Sequence, residues 1–344
     1  MTSNATVVGM VYVCAGGVSN GSYPAPSKGL SAWKWEHIWF VYSLVAMAVL
    51  PIGFCSVFAP QILVRLIGSD FMLAGQVFAF GAMWGLGSLL FGVSLPRLGM
   101  AITNALVSGV LALFGSLGPL LTGAIRIDAT HLIGLIVGLL LLTLSISMCA
   151  LASLERDRTK GTVSPRLETQ RRPVFNVLIA LFAGAFSSML NFGFVVGAPL
   201  ARNALLDGAP ALIATIAIWI PALLGGLILN AGYPAYLIWR RNSWERFVRR
   251  PEGARSWLRS SSMGILWFGA ILLYGYGASK MGQSGAVYGW ALIIAISILV
   301  SAIWGVAFGE WNGAGQAPKM LMSFSILLLI CSLVTICVCT QQAS

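Results

Sequence analysis

Residues 133–152 run without one charged side chain, and comparable apolar runs recur along the whole sequence. About 20 such residues, wound as a helix rising 1.5 Å per residue, cross the roughly 30 Å hydrocarbon layer of a bilayer. Barrel strands would alternate polar and apolar positions, and these runs do not. The pattern therefore predicts an all-α integral membrane protein. Composition agrees: 58% of the 344 residues are hydrophobic and 9% charged, with a mean hydropathy of +0.87. Ten spans are expected, at 6–24, 36–58, 72–95, 99–120, 131–152, 174–197, 211–239, 260–279, 285–308 and 320–340. They leave only short connections and exclude a large soluble domain. Thirty-nine glycines fit helices that approach one another closely.

The net charge of +11 takes its meaning from where the basic residues fall. Alternate loops divide them seventeen to four, the minority being Arg65, Arg126, Arg202 and Lys280. By the positive-inside rule the majority side is cytoplasmic, which places both termini outside. Basic loops in this setting meet anionic lipid, and no nucleic-acid partner is expected. No basic n-region precedes Lys28, so the first span is expected to be retained rather than cleaved as a signal peptide.

The two halves of the chain resemble each other. Gly81, Trp84, Leu90, Phe91, Gly92, Arg97 and Gly99 align without gaps, at a constant offset of 183, on Gly264, Trp267, Leu273, Tyr274, Gly275, Lys280 and Gly282. Residues 15–19 and 183–187 agree more loosely. Five spans per half is an odd number, so the second half enters the membrane from the opposite side. The expectation is two inverted five-helix repeats, 1–152 and 174–344, joined by a charged cytoplasmic linker at 153–173. Such repeats recur in secondary transporters, which bind substrate at the repeat interface.

Polar groups within the spans suggest the cargo. Of ten acidic residues only Glu36, opening span two, and Glu310, closing span nine, border the membrane interior. Both are candidates for a proton-coupling carboxylate, with Glu36 favoured because it belongs to a Trp-Glu motif beside the Pro24-to-Lys28 bend, although a Glu in a first helical turn also simply complements the helix dipole. Asn20, Asn104, Asn191 and Asn230 can hydrogen-bond hydroxyls, and Trp and Tyr faces can cover apolar C–H surfaces. Tyr23, Trp35, Trp39, Trp84, Trp267, Tyr274 and Tyr288 are the aromatic candidates, and the combination suits a neutral sugar. Interfacial anchoring and interhelical packing are the competing uses of these rings. The six cysteines lie in or beside apolar runs and the two histidines are isolated, so no metal or other cofactor is expected. A phosphate-binding G-x-x-x-x-G-K-[ST] segment is absent, as is a nucleophile–base set, which argues against an ATP-driven pump and against an enzyme.

Dispersed motifs carry a family resemblance: Tyr23-Pro24-Ala25-Pro26 with Lys28, Trp33-x-Trp35-Glu36-x-x-Trp39, Leu50-Pro51, Phe80-Gly81-Ala82-Met83-Trp84-Gly85-x-Gly87, Leu98-Gly99-Met100, and Glu310-Trp311-Asn312-x-Ala314-Gly315 with Pro318. With these the chain resembles the bacterial L-rhamnose/proton symporters of the drug/metabolite transporter superfamily. The resemblance implies ten helices, the bacterial inner membrane, and uptake of a 6-deoxyhexose with a proton. The family pattern is more polar around span eight and the start of span nine, where this chain reads Trp267-Phe268-Gly269-Ala270 and Gly285-Ala286-Val287-Tyr288. A monomer is expected, its partners being sugar, proton and bilayer. The alternatives that residues alone leave open are a facilitator or exporter of another small metabolite, and a receptor or scaffold that does not transport.

Overall fold

A computed structural model describes residues 3–121, 123–125, 127–161, 173–248 and 252–342, and among these every regular element is helical. Helix α1 covers Ser3–Ser22, and α2 (Trp35–Leu44) continues through a π-helical turn, Val45–Val49, into α3 (Leu50–Phe58). Pro51 causes that turn, since it offers no N–H and its ring crowds the carbonyl a turn earlier. Then follow α4 (Gln61–Ile67), α5 (Phe71–Leu98), α6 (Met100–Leu121) and α7 (Ala129–Thr159). The next apolar segment is broken into α8 (Pro173–Ser187), α9 (Met189–Val196) and α10 (Ala198–Leu206). At the first break the Ser188 hydroxyl donates to Ala185 O at 2.6 Å, competing with the helical backbone. Finally come α11 (Ala211–Ala214), α12 (Ile216–Arg240), α13 (Glu252–Lys280), α14 (Gly285–Ala307) and α15 (Gln316–Gln342).

Nine segments among the described residues are long and apolar enough to cross a membrane, so this is a multi-pass membrane protein. They correspond to expected spans two to ten. The first expected span is a helix of 20 residues that is not among these nine. Its composition explains this: Ser3, Asn4, Thr6, Ser19, Asn20 and Ser22 share it with Gly9, Gly16, Gly17 and Gly21. Those glycines are contact surface. A Cβ on Gly16 would come within 2.9 Å of Ala270 O, and one on Gly17 within 2.6 Å of the Ile296 side chain. Helix α1 thereby lies against α13 and α14. The Ser19 hydroxyl donates to Leu266 O at 2.7 Å, fixing the contact.

Helix α8 lies correspondingly against α5 and α6, α12 against α5, α2 and its π turn against α13, and α7 against α15. Gly81 makes the approach of α5 to α12 possible, since any side chain there would collide with the Ala222 carbonyl. Helix α7 runs seven residues past the expected end of span five, carrying Arg156 and Arg158 in its last turn, where cations favour the C-terminal dipole. Residues 162–172 of the expected linker, and Arg126, lie outside the described residues.

Candidate functional site

A cavity of about 520 Å³ opens among α1, α6, α7, α14 and the start of α15. This is within the usual range for small-molecule sites, roughly 300–1,000 Å³. Helical periodicity builds its walls, because residues three or four apart share a face. Helix α6 contributes Asn104, Ser108 and Leu111; α7 contributes Ile146, Cys149, Ser153 and Asp157; α14 contributes Ile294, Ile298, Ser301 and Gly305. From α1, the Asn20 amide donates to Ser297 Oγ at 2.9 Å. Tyr23, just beyond α1, also lines the cavity and stacks on Tyr42 with ring centroids 5.5 Å apart. The walls combine amide and hydroxyl groups with aliphatic surface, the two kinds of contact a neutral sugar needs.

Charge gathers at one rim. Glu310 Oε1 accepts from Lys28 Nζ at 2.7 Å, and Oε2 lies 3.5 Å from an Arg156 guanidinium nitrogen. Lys160 Nζ donates to Glu310 O at 2.6 Å. Arg156 also pairs with Asp157 at 2.8 Å and lies over the Trp311 ring at 5.1 Å. One carboxylate thus ties the α1–α2 connection to the end of α7 and the approach to α15. Arg259 adds a bond to Lys28 O at 3.1 Å. The opposite end of the bundle carries the smaller charge group, where Arg65 pairs with Asp207.

Among the residues singled out from the sequence, the structure brings Asn20, Tyr23, Asn104 and Glu310 around this cavity. The others occupy different positions. Glu36 is buried and accepts from an Arg241 guanidinium nitrogen at 2.6 Å, away from the cavity lining. Trp35 is exposed and stacks on Trp39, whose indole N–H donates to Asn230 Oδ1 at 3.4 Å. Trp84 and Trp267, the aligned pair, stack on each other with centroids 5.4 Å apart and planes 13° from parallel. Tyr42 bridges that pair to the cavity, edge-on to Trp267 at 6.2 Å and stacked on Tyr23.

Asn191, fully buried on α9, donates to Gly115 O at 2.8 Å and Ala286 O at 2.9 Å and accepts from the Tyr274 hydroxyl. It binds four segments of the bundle at one point. Tyr288 is buried and donates to His131 O at 3.2 Å.

Several cavity residues went unread in the sequence. Ser108, Ser153 and Ser301 are small hydroxyls inside apolar runs, where hydropathy hides them. Arg156 and Asp157 fall in the expected linker, because the apolar run of span five ends at 152. The spacing 146, 149, 153, 157 continues one helical face through that boundary and is the signal that would have found them.

A bundle of apolar helices around a hydroxyl-lined, charge-rimmed cavity is the architecture of a multi-pass membrane protein with room for a small polar molecule. The family model described as L-rhamnose-proton symport protein matches residues 2–341. The chain belongs to that family. Relatives named L-rhamnose-proton symporter include those of Shigella dysenteriae serotype 1 (strain Sd197), Escherichia coli (strain SMS-3-5 / SECEC) and Escherichia coli (strain 55989 / EAEC). Each is 23% identical to this chain over 335 residues, covering 95% of it and 96% of the relative.

Proposed function

We propose that this protein imports L-rhamnose, or a closely related 6-deoxyhexose, together with a proton across the bacterial inner membrane, acting as a monomer. The observation that carries the proposal is the cavity itself: amide and hydroxyl groups face a space of monosaccharide scale, and Glu310 stands at its rim. Asn20, Tyr23 and Asn104 contact the sugar. Glu310 carries the proton, because it borders the same cavity and its pairing with Lys28 depends on its charge. Glu36, held by Arg241 away from the cavity lining, anchors the start of α2.

The architecture is ten spans in two inverted repeats, with α1 as the first span and residues 153–173 as the linker. Three features support it. Gly99 and Gly282, aligned at the offset of 183, both adopt left-handed φ angles, 77° and 75°. The aligned Trp84 and Trp267 face each other as ring partners. The packing also exchanges under the repeat: α1 on α13 and α14 corresponds to α8 on α5 and α6.

The basic end is cytoplasmic by its charge excess, so the described arrangement is open to the cytoplasm, and alternating access closes this end and opens the other. Asn191, Tyr274, Trp84, Trp267 and Tyr288 form the repeat interface that closes the opposite half, while Trp35 and Trp39 anchor the membrane boundary. Uptake of labelled L-rhamnose into proteoliposomes tests the reading directly. An imposed inward proton gradient should drive accumulation above the external concentration, and uptake that only equilibrates would replace the symporter with a facilitator.

A further inference from the structure

The cavity lining changes in character along the helices that wall it. Helix α6 starts at the charged rim, whereas α7 and α14 end there. Counting inward at 1.5 Å per residue places Asn104, Ser153 and Ser301 about 6–9 Å deep, and Leu111, Ile146 and Ile294 about 16–20 Å deep. With Ser108 and Ser297, at about 12 and 15 Å, the amide and hydroxyl groups reach down to the aliphatic end, but the deepest of them, the Ser297 hydroxyl, is already engaged with Asn20 and Ile293 O. Trp290 stands beyond Leu111. Its ring occupies the space a side chain on Gly115 would need, and its N–H is engaged with Leu111 O at 3.1 Å, so that donor is not directed at a ligand.

A sugar whose hydroxyls meet the amide and hydroxyl groups must turn an apolar group toward the aliphatic end. In a 6-deoxyhexose that group is the C6 methyl. We propose that Leu111, Ile146 and Ile294 form the seat of this methyl and set the preference for 6-deoxy over 6-hydroxy sugars. The inference rests on the reading that this cavity binds the transported sugar. L-mannose differs from L-rhamnose only by a hydroxyl on C6, and seating it here would bury that hydroxyl without a partner. An aliphatic pocket discriminates against an added hydroxyl by about 10- to 100-fold.

Calorimetry on the purified full chain tests the assignment with L-rhamnose, L-mannose and L-lyxose, the last having no C6 at all. The wild type should bind L-rhamnose about tenfold or more tighter than L-mannose, and tighter than L-lyxose. Ile294→Thr, which keeps the branch at Cβ and offers a hydroxyl on a shorter side chain, should reduce the rhamnose-to-mannose ratio by at least fivefold, and Leu111→Ala should reduce it by making room. Asn104→Ala should weaken all three sugars alike. If Ile294→Thr abolishes all binding, the Leu111→Ala ratio decides. L-rhamnose binding with ratios unchanged in the Ile294→Thr and Leu111→Ala variants would overturn the methyl seat and leave the transport reading intact. Absence of sugar binding in the wild type would remove both.

Discussion

Glu310→Gln separates coupling from binding. The substitution keeps the length and a carbonyl acceptor for Lys28, whose nitrogen lies 2.7 Å from Oε1, and it removes the titratable group. Stability should change little, because the Lys28 and Glu310 side chains are 51% and 39% exposed. Ion pairs at such sites contribute roughly 0.2–1 kcal/mol. The transport effect is much larger. One proton moving through about 150 mV releases about 3.5 kcal/mol, which at about 1.4 kcal/mol per decade sustains roughly 300-fold accumulation of a neutral sugar.

In proteoliposomes under that driving force, Glu310→Gln should bring the accumulation ratio to one while retaining sugar exchange at equal concentrations. Glu36→Gln is the comparison, and it should still accumulate sugar. Concentration of L-rhamnose by Glu310→Gln to the wild-type level would refute the assignment. Loss of accumulation in Glu36→Gln alone would move the coupling role to Glu36, and full accumulation in both variants would exclude either carboxylate as the essential carrier.

Other consequences are testable at single positions. Gly81→Val should prevent stable assembly, since the side chain would strike the Ala222 carbonyl, whereas Gly92→Ala faces open space and should melt within a few degrees of wild type in detergent. Asn191→Leu should lower the melting temperature markedly by leaving the Tyr274 hydroxyl and the Gly115 and Ala286 carbonyls without this partner; each buried group so deprived costs about 1–3 kcal/mol, and an unchanged melting curve would show that Asn191 does not hold these segments together. Cys149, half-buried in the cavity wall, should react with a small maleimide more slowly when saturating L-rhamnose is present, as read by mass spectrometry. Equal rates with and without sugar would place the bound sugar elsewhere.

Nine spanning segments were legible because hydrophobicity over 20 residues is a one-dimensional signal. Helix α1 was legible as a helix, but its glycines and hydroxyls serve contacts with α13 and α14, which no local window records. The break at Ser188 was not legible, since it depends on a side chain competing with its own helix. Glu310 could be singled out as a carboxylate at a helix end, yet its partner Lys28 lies 282 residues away in sequence. From sequence Glu36 is the favoured carboxylate, because it belongs to the Trp35-Glu36 motif beside the Pro24–Lys28 bend. What separates the two is the cavity boundary, a property of α6, α7 and α14 folded together. The stacking of Trp84 on Trp267 lies between these extremes, because the internal repeat aligned the two rings and only the packed bundle brings them face to face.

Two indoles held 5.4 Å apart and 13° from parallel are close enough for their electronic transitions to couple. The chain therefore carries an intrinsic optical reporter at the seam between its proposed halves. Sliding one half past the other would alter the exciton signal and emission of this pair, and subtracting the spectrum of Trp84→Phe would isolate it from the remaining tryptophans. Movement during the transport cycle could then be followed in unlabelled protein, at the residue pair through which the sequence first revealed its internal symmetry.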